Sequence, residues 1–166
     1  MISIQIVDYD ERWPERYRNE ARRISGALGP IALRIEHTGS TSVPGLCAKP
    51  VIDILLVVAD SAAEESYAPS LEDAGYVLAI REPEWYDHRL FKPADGSVNL
   101  HVFSKGCPEI ERMLLFRDWL RSNASDRQRY TDAKLALAQR EWASVDQYAA
   151  AKTAIVLEIL ARARQK

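Results

Sequence analysis

Residues 36 to 54 read EHTGSTSVPGLCAKPVIDI, with hydroxyls and two glycines set ahead of an apolar run that holds one carboxylate, Asp53. Glycine at Gly39 lets a backbone approach a ligand closely, and successive N–H groups with the Ser40, Thr41 and Ser42 hydroxyls can surround phosphate oxygens. A carboxylate on the adjoining strand can then hold Mg²⁺ or Mn²⁺ against those oxygens, an arrangement suited to phosphoryl or nucleotidyl transfer. By residue type alone, Gly39 to Gly45 reads first as a tight connector that turns at Pro44-Gly45. Asp53 in an apolar strand is costly unless paired or liganded, so it reads as a site residue. A salt bridge to Lys49 or Arg89 is the structural alternative.

The chain has three histidines, His37, His88 and His101, each on an expected strand or strand end. If those strands are neighbours, the imidazoles converge with Asp53 or Glu36 as ligands for a borderline metal such as Zn²⁺, or act as general acid and base. None forms an HxH or HExxH pair, so spacing alone does not establish convergence. Arg89 can clamp a phosphate or carboxylate in bidentate fashion, and Lys49 can neutralise one. Trp85-Tyr86 reads as a loop anchor, with base stacking as the functional alternative.

These groups need a scaffold, and 166 residues suffice for one domain, 1–166, with its own core. A formal net charge of −2, from 22 basic and 24 acidic residues, lacks the basic footprint of a nucleic-acid binder. The arginines of FRDWLRSNASDRQRY are interrupted by acids and read as solvated charge. Cys47 and Cys107 form no CxxC pattern and read as ordinary small residues. The opening MISIQIVDYDERW is neither a signal peptide nor a membrane span, which makes the cytosol the expected compartment.

Pro14 suits the first turn of a helix on which Tyr17, Ala21, Ile24 and Leu28 share a face, and Gly29-Pro30 stops it. Residues 31 to 37 are apolar enough for a strand, and PVIDILLVV reads as a central strand buried on both faces. Ser61-Ala-Ala-Glu64 predicts a capping box for a helix ending at Gly75. Residues 76 to 81, 88 to 92 and 98 to 103 read as strands, the last two joined through Asp95-Gly96. From Pro108 onward the pattern is helical: 109 to 122, a helix begun by Ser125-x-x-Gln128, and one begun by Ser144-x-x-Gln147. Tyr130, Ala133, Leu137 and Ala138 form one apolar stripe, and Val145, Tyr148, Ala149, Val156, Ile159 and Leu160 another. The class is α+β, a mixed β-sheet flanked by helices with a helical C-terminal tail. The amphipathic tail serves a monomer or a homodimer equally.

GSTSVPGL-x-AKP-x-IDI, preceded by I-E-H and accompanied by Y-D-x-x-W, H-R-L-F, L-H-V-F and FRDWLR, resembles the GrpB family over nearly the whole chain. That family is similar in fold to the nucleotidyltransferase superfamily of polymerase-β type, and related domains occur fused to dephospho-coenzyme A kinase. The resemblance implies a glycine-serine pair, two acids alternating on the next strand and a third on a neighbouring strand. Gly39, Ser40 and Asp53 match; the second position is Leu55, and Val98 to His101 offers an amide and an imidazole but no carboxylate.

The leading expectation is binding of a nucleotide or another phosphorylated small molecule, with metal-dependent nucleotidyl or phosphoryl transfer as the activity. Gly39, Ser40, Thr41 and Ser42 then cradle phosphate, and Lys49 and Arg89 neutralise its charge. Asp53, Glu36, His37 and His101 supply the metal ligands; Asp53, His101 and His88 are the expected catalytic groups. The rivals are a non-catalytic ligand-sensing or partner-binding domain with a degenerate site, and a histidine-carboxylate transition-metal enzyme.

Overall fold

In the computed structural model, which describes residues 1–165, the site is built on five strands in the order β2-β3-β6-β5-β4. These are β2 (Arg34–Thr38), β3 (Ile52–Val58), β4 (Tyr76–Glu82), β5 (His88–Pro93) and β6 (Val98–Ser104). Only β3 and β6 run parallel within this sheet; the other pairings are antiparallel. The sheet is the mixed one expected, and β3 and β6 form its buried middle.

Side chains alternate across a strand, so β3 presents two different surfaces. Ile52, Ile54, Leu56 and Val58 join Leu100, Val102 and Phe91 in a core closed by Trp13, Ile24 and Leu28 of α1 (Trp13–Leu28) and Leu71 of α2 (Ala68–Asp73). Each aliphatic side chain buried there contributes about 1.5–3 kcal/mol. On the other face Leu55, Val57 and Phe103 pack on Ile110 and Leu114 of α3 (Pro108–Ser122). That apolar patch ends where Asp53, Asn99 and His101 begin.

The helical tail continues as α4 (Ala124–Ala138), α5 (Val145–Ala151) and α6 (Thr153–Arg164). Leu120, Tyr130 and Ile159 from three of these helices enclose Val43 and Leu46, the far end of the glycine-serine turn. Asp126, 1% exposed, ties the helices together. Its carboxylate accepts from Trp119 Nε1 at 2.7 Å, Arg129 Nη1 at 2.9 Å and Arg162 Nη2 at 2.6 Å. Those donors hold its pKa far below the usual carboxylate range. A short β1 (Ile2–Ser3) pairs antiparallel with β7 (Glu141–Trp142). Among the described residues no helix is long and apolar enough to cross a membrane.

Three helix boundaries differ from expectation. Ser61 caps no helix: its hydroxyl donates to the Asp87 carbonyl at 2.8 Å, while Glu64 opens a 3₁₀ turn and α2 begins at Ala68. The cap of α4 is Asn123 rather than Ser125, with Asn123 Oδ1 accepting from the Asp126 N–H at 2.8 Å. The Ser144 box forms as expected, Ser144 Oγ accepting from Gln147 N–H and Gln147 Oε1 from Ala143 N–H, both at 3.2 Å. The helix it opens breaks at Lys152, and Val145 lies 47% exposed, off the buried stripe.

Candidate functional site

Thr38 ends β2 directly opposite Asp53, and the chain must then cross the carboxylate. Gly39 permits this: its φ is +70°, and a Cβ there would lie 2.4 Å from Asp53 Oδ2. Ser40–Ser42 follow as a 3₁₀ turn. Ser42 Oγ donates to the Gly39 carbonyl and so closes the turn, while Arg121 Nε holds the Ser42 carbonyl at 2.9 Å. Thr41 Oγ1 lies 2.9 Å from His37 Nε2. The turn is therefore braced from behind, and Ser40 and Thr41 line the space in front of it.

That space is a cleft of about 110 Å³ lined by Ser40, Thr41, Lys49, Asp53, Asn99, Lys134, Tyr148 and Lys152. Lys134 comes from α4 and is 2% exposed; its ammonium donates to Ser40 Oγ at 2.8 Å and the Cys47 carbonyl at 2.6 Å. Burial and then Lys152 push its pKa down to about 7, against the pull of Cys47 and Asp53. Lys152, at the α5–α6 break, is lowered by burial and by Lys49 and supported by Asp53. A second hollow of about 260 Å³ adjoins the first at Asp53 and is more apolar, with Gly39, Thr38, His101, Arg112, Met113, Phe116 and Val156.

On its other side Asp53 heads a chain of hydrogen-bonding groups. Asp53 Oδ1 lies 3.1 Å from His101 Nε2, His101 Nδ1 lies 3.1 Å from His88 Nε2, and His88 Nδ1 lies 2.8 Å from Glu82 Oε1. Registers align them: β3 and β6 run in parallel, Leu90 pairs with His101, and His88 pairs with Glu82. Three gaps need three protons and two neutral imidazoles carry two, so the chain closes completely when one ring is cationic. Burial nevertheless lowers the His88 pKa, Glu82 opposing it and His101 adding to it. Trp85 covers His88 edge to face at 5.0 Å and also meets Phe103, which makes it an anchor of this chain.

The structure brings together Gly39, Ser40, Thr41, Lys49, Asp53, His101 and, through His101, His88. Arg89 is not among them. It follows His88 on the strand, so it points to the opposite face, where it is 6% exposed and donates to Glu64 Oε2 at 2.6 Å. His37 lies on that face too, stacked on Tyr17 at 4.7 Å, and burial lowers its pKa to about 4, with Arg121 and Arg117 in the same direction and Asp53 opposing. Glu36 shares the cleft face but accepts from Arg117 Nη1 at 2.7 Å and Arg34 Nε at 3.3 Å. Burial raises its pKa and these donors lower it, with a net lowering.

Asp53, Glu36, His37 and His101 thus do not form one ligand set, and among the described residues no group of three His, Cys, Asp or Glu could hold a metal ion. Among the described lining residues the cleft offers a divalent cation one carboxylate, Asp53, fewer than the three acids that the resemblance implies. Sequence reasoning missed Lys134, Lys152 and Tyr148 as site residues. The signal for Lys134 was its place four residues after Tyr130 and three before Leu137, a lysine within an apolar stripe.

The GrpB protein family pattern matches residues 3–162. A UPF0157 protein of Halalkalibacterium halodurans is 61% identical over 161 residues, covering 97% of this chain and 83% of that one. A dephospho-CoA kinase of Mycolicibacterium paratuberculosis is 32% identical over 90% of this chain, which spans 43% of the kinase. The crystal structure of GrpB from Enterococcus faecalis superposes with a TM-score of 0.85 at 31% identity, covering 96% of each chain. The Cid1 poly(U) polymerase in its MgGTP-bound form gives 0.57 at 12% identity over 81% of this chain and 45% of that one, a likeness of fold alone. The glycine-serine turn, the cleft aspartate and the five-stranded mixed sheet therefore sit in a chain that belongs to the GrpB family.

Proposed function

We propose that the cleft around Asp53 binds a nucleotide or another phosphorylated small molecule. Its phosphates lie against Lys49, Lys134, Lys152, Ser40 and Thr41, and its organic part lies in the hollow beside Phe116, Met113 and Val156. One observation carries the reading. Among the described residues three buried side-chain polar atoms lack a partner, Thr38 Oγ1, Asn99 Oδ1 and Tyr148 O–H, and all belong to residues lining the two hollows that share Asp53. A buried polar group left unpaired costs about 1–3 kcal/mol, so a ligand whose entry shifts the lining enough to open these atoms gains there, the Thr38 and Tyr148 hydroxyls donating to it and Asn99 Oδ1 accepting from its N–H or O–H groups. Three lysines against one aspartate make the cleft locally cationic in a chain of net charge −2, the sign a phosphate requires.

Nucleotidyl or phosphoryl transfer is the activity this fold suggests, and Asp53 and His101, 3.1 Å apart, are the pair that would exchange a proton with a ligand hydroxyl. A second reading, a non-catalytic ligand sensor, is favoured by Leu55, which is fully buried where the superfamily pattern has an acid. The setting that goes with both is cytosolic, in keeping with two free cysteines.

The test is a thermal-shift and calorimetric screen of nucleotides, coenzyme A precursors and phosphosugars against the native chain and Lys134→Met. A ligand at a hundred times its Kd adds about 2.7 kcal/mol of stability, readily seen. A ligand that stabilises the native protein and not the variant supports the site, and product analysis of the mixture then separates enzyme from sensor. Equal shifts in both proteins would remove the cleft from consideration.

A further inference from the structure

Resting on that reading, we infer that the cleft takes the polyphosphate end of its ligand free of divalent cation, with lysine ammonium groups in the role that Mg²⁺ fills in related folds. The carboxylate count points this way first. Among the described residues Asp53 is the single acid lining the two hollows, and the neighbouring positions that would complete a two-metal set are the fully buried Leu55, the amide of Asn99 and the imidazole of His101. Mg²⁺ demands near-octahedral oxygen coordination at about 2.0–2.1 Å. Asp53 offers it little: Oδ1 faces His101 Nε2 at 3.1 Å, and Oδ2 lies under the Gly39 backbone, 2.4 Å from where a Cβ would stand.

The charges point the same way. Lys49, Lys134 and Lys152 converge on the hollow from the β2–β3 connection, α4 and the α5–α6 break, three elements far apart in sequence. Lys134 is 2% exposed, and its partners, the Ser40 hydroxyl and the Cys47 carbonyl, are both neutral. A buried ammonium without a carboxylate partner is costly and is compensated by an arriving anion. A divalent cation entering with that anion meets three like charges, and the ammonium groups would compete with it for the same phosphate oxygens. On the same wall the unpartnered Tyr148 hydroxyl can donate to a phosphate oxygen, while Asn99 Oδ1, an acceptor, takes only a ligand N–H or O–H.

Inorganic triphosphate is the probe, titrated calorimetrically into the full chain at constant ionic strength, once in EDTA and once with Mg²⁺ in excess over the anion. Binding in EDTA that weakens by roughly tenfold when Mg²⁺ complexes the anion, and by a similar factor in Lys152→Met, is the expected result. Lys134→Met serves as the second variant, because Lys152 at a helix break and Lys134 within a helix perturb folding differently. Binding that is unchanged or strengthened by Mg²⁺ overturns this inference and leaves the phosphate-binding reading standing. No binding under either condition overturns both.

Discussion

The two faces of β3 are made of adjacent residues and serve opposite ends. Ile52, Ile54, Leu56 and Val58 are at most 1% exposed and belong to the apolar cluster of the helix-covered core. Asp53, one position away, faces a cleft with three lysines, a histidine and unpartnered polar atoms. Burial without polar groups is where stability comes from; polar groups held near one another at the core's edge are where binding comes from. The comparison breaks most visibly on the apolar side. Leu100→Ala, at a fully buried position of the packed face, should cost about 3 kcal/mol, read as a lowered denaturant midpoint. Anion affinity of the molecules that remain folded should be unchanged, and a parallel loss of affinity would show that the two faces are not separable.

On the cleft side the order of effects reverses. Lys134→Met removes a buried ammonium, so triphosphate affinity should fall roughly ten- to a hundredfold while the unfolding midpoint stays level or rises. If stability falls as far as in Leu100→Ala, the lysine is a strut and not a binding group. Its titration sharpens the point. With a folded pKa of about 7 against an ordinary 10.5, Lys134 is neutral in the folded chain over that interval while the unfolded chain still carries the proton. Stability therefore gains with rising pH through that window, whereas anion affinity, which needs the ammonium, declines as pH climbs past about 7. Calorimetry at two pH values either side of 7 reads the second effect; urea midpoints read the first.

Gly39 joins the two faces and gives a smaller, local effect. With φ at +70° and the Asp53 carboxylate 2.4 Å from any added Cβ, Gly39→Ala should cost about 1–2 kcal/mol and displace Asp53. Gly26, inside α1 with open space around it, is the control, and Gly26→Ala should stabilise by about 0.5–1 kcal/mol. Paired unfolding curves that move in the same direction would dissolve the special claim made for Gly39.

Much of the scaffold was legible because it follows local rules. The unbroken apolar run of β3, the Asp95-Gly96 hairpin and the Pro14 start of α1 each state their structure in a few residues. Part of the site was legible as well, since the turn at Gly39 and the lone Asp53 declare themselves by type. Strand alternation held one further lesson. His88 and Arg89 are neighbours, so only one can face Asp53, and likewise Glu36 and His37. What sequence could not supply was register between distant strands, which places His101 and His88 in line with Asp53. Nor could it show that α4 and the α5–α6 break deliver Lys134 and Lys152, because that depends on how Asp126 and Arg162 dock the tail.

The smallest effect lies at the solvent end of the histidine chain. Glu82 is partly exposed, so Glu82→Gln should change stability at neutral pH by less than about 1 kcal/mol. Its consequence is for protons. The Glu82 carboxylate can only accept from His88 Nδ1 and favours the cationic ring, against the burial that holds the His88 pKa below its ordinary 6.5. A glutamine amide can donate to an unprotonated Nδ1, so the chain then closes with both rings neutral. The His88 titration, followed by NMR, should move further to acid. Because the unfolded chain takes up its proton first, stability should also fall more steeply as pH drops below 6.5. An unaltered titration would mean that Glu82 does not bear on His88, leaving Asp53 and His101 as an isolated pair rather than the inner end of a four-membered chain.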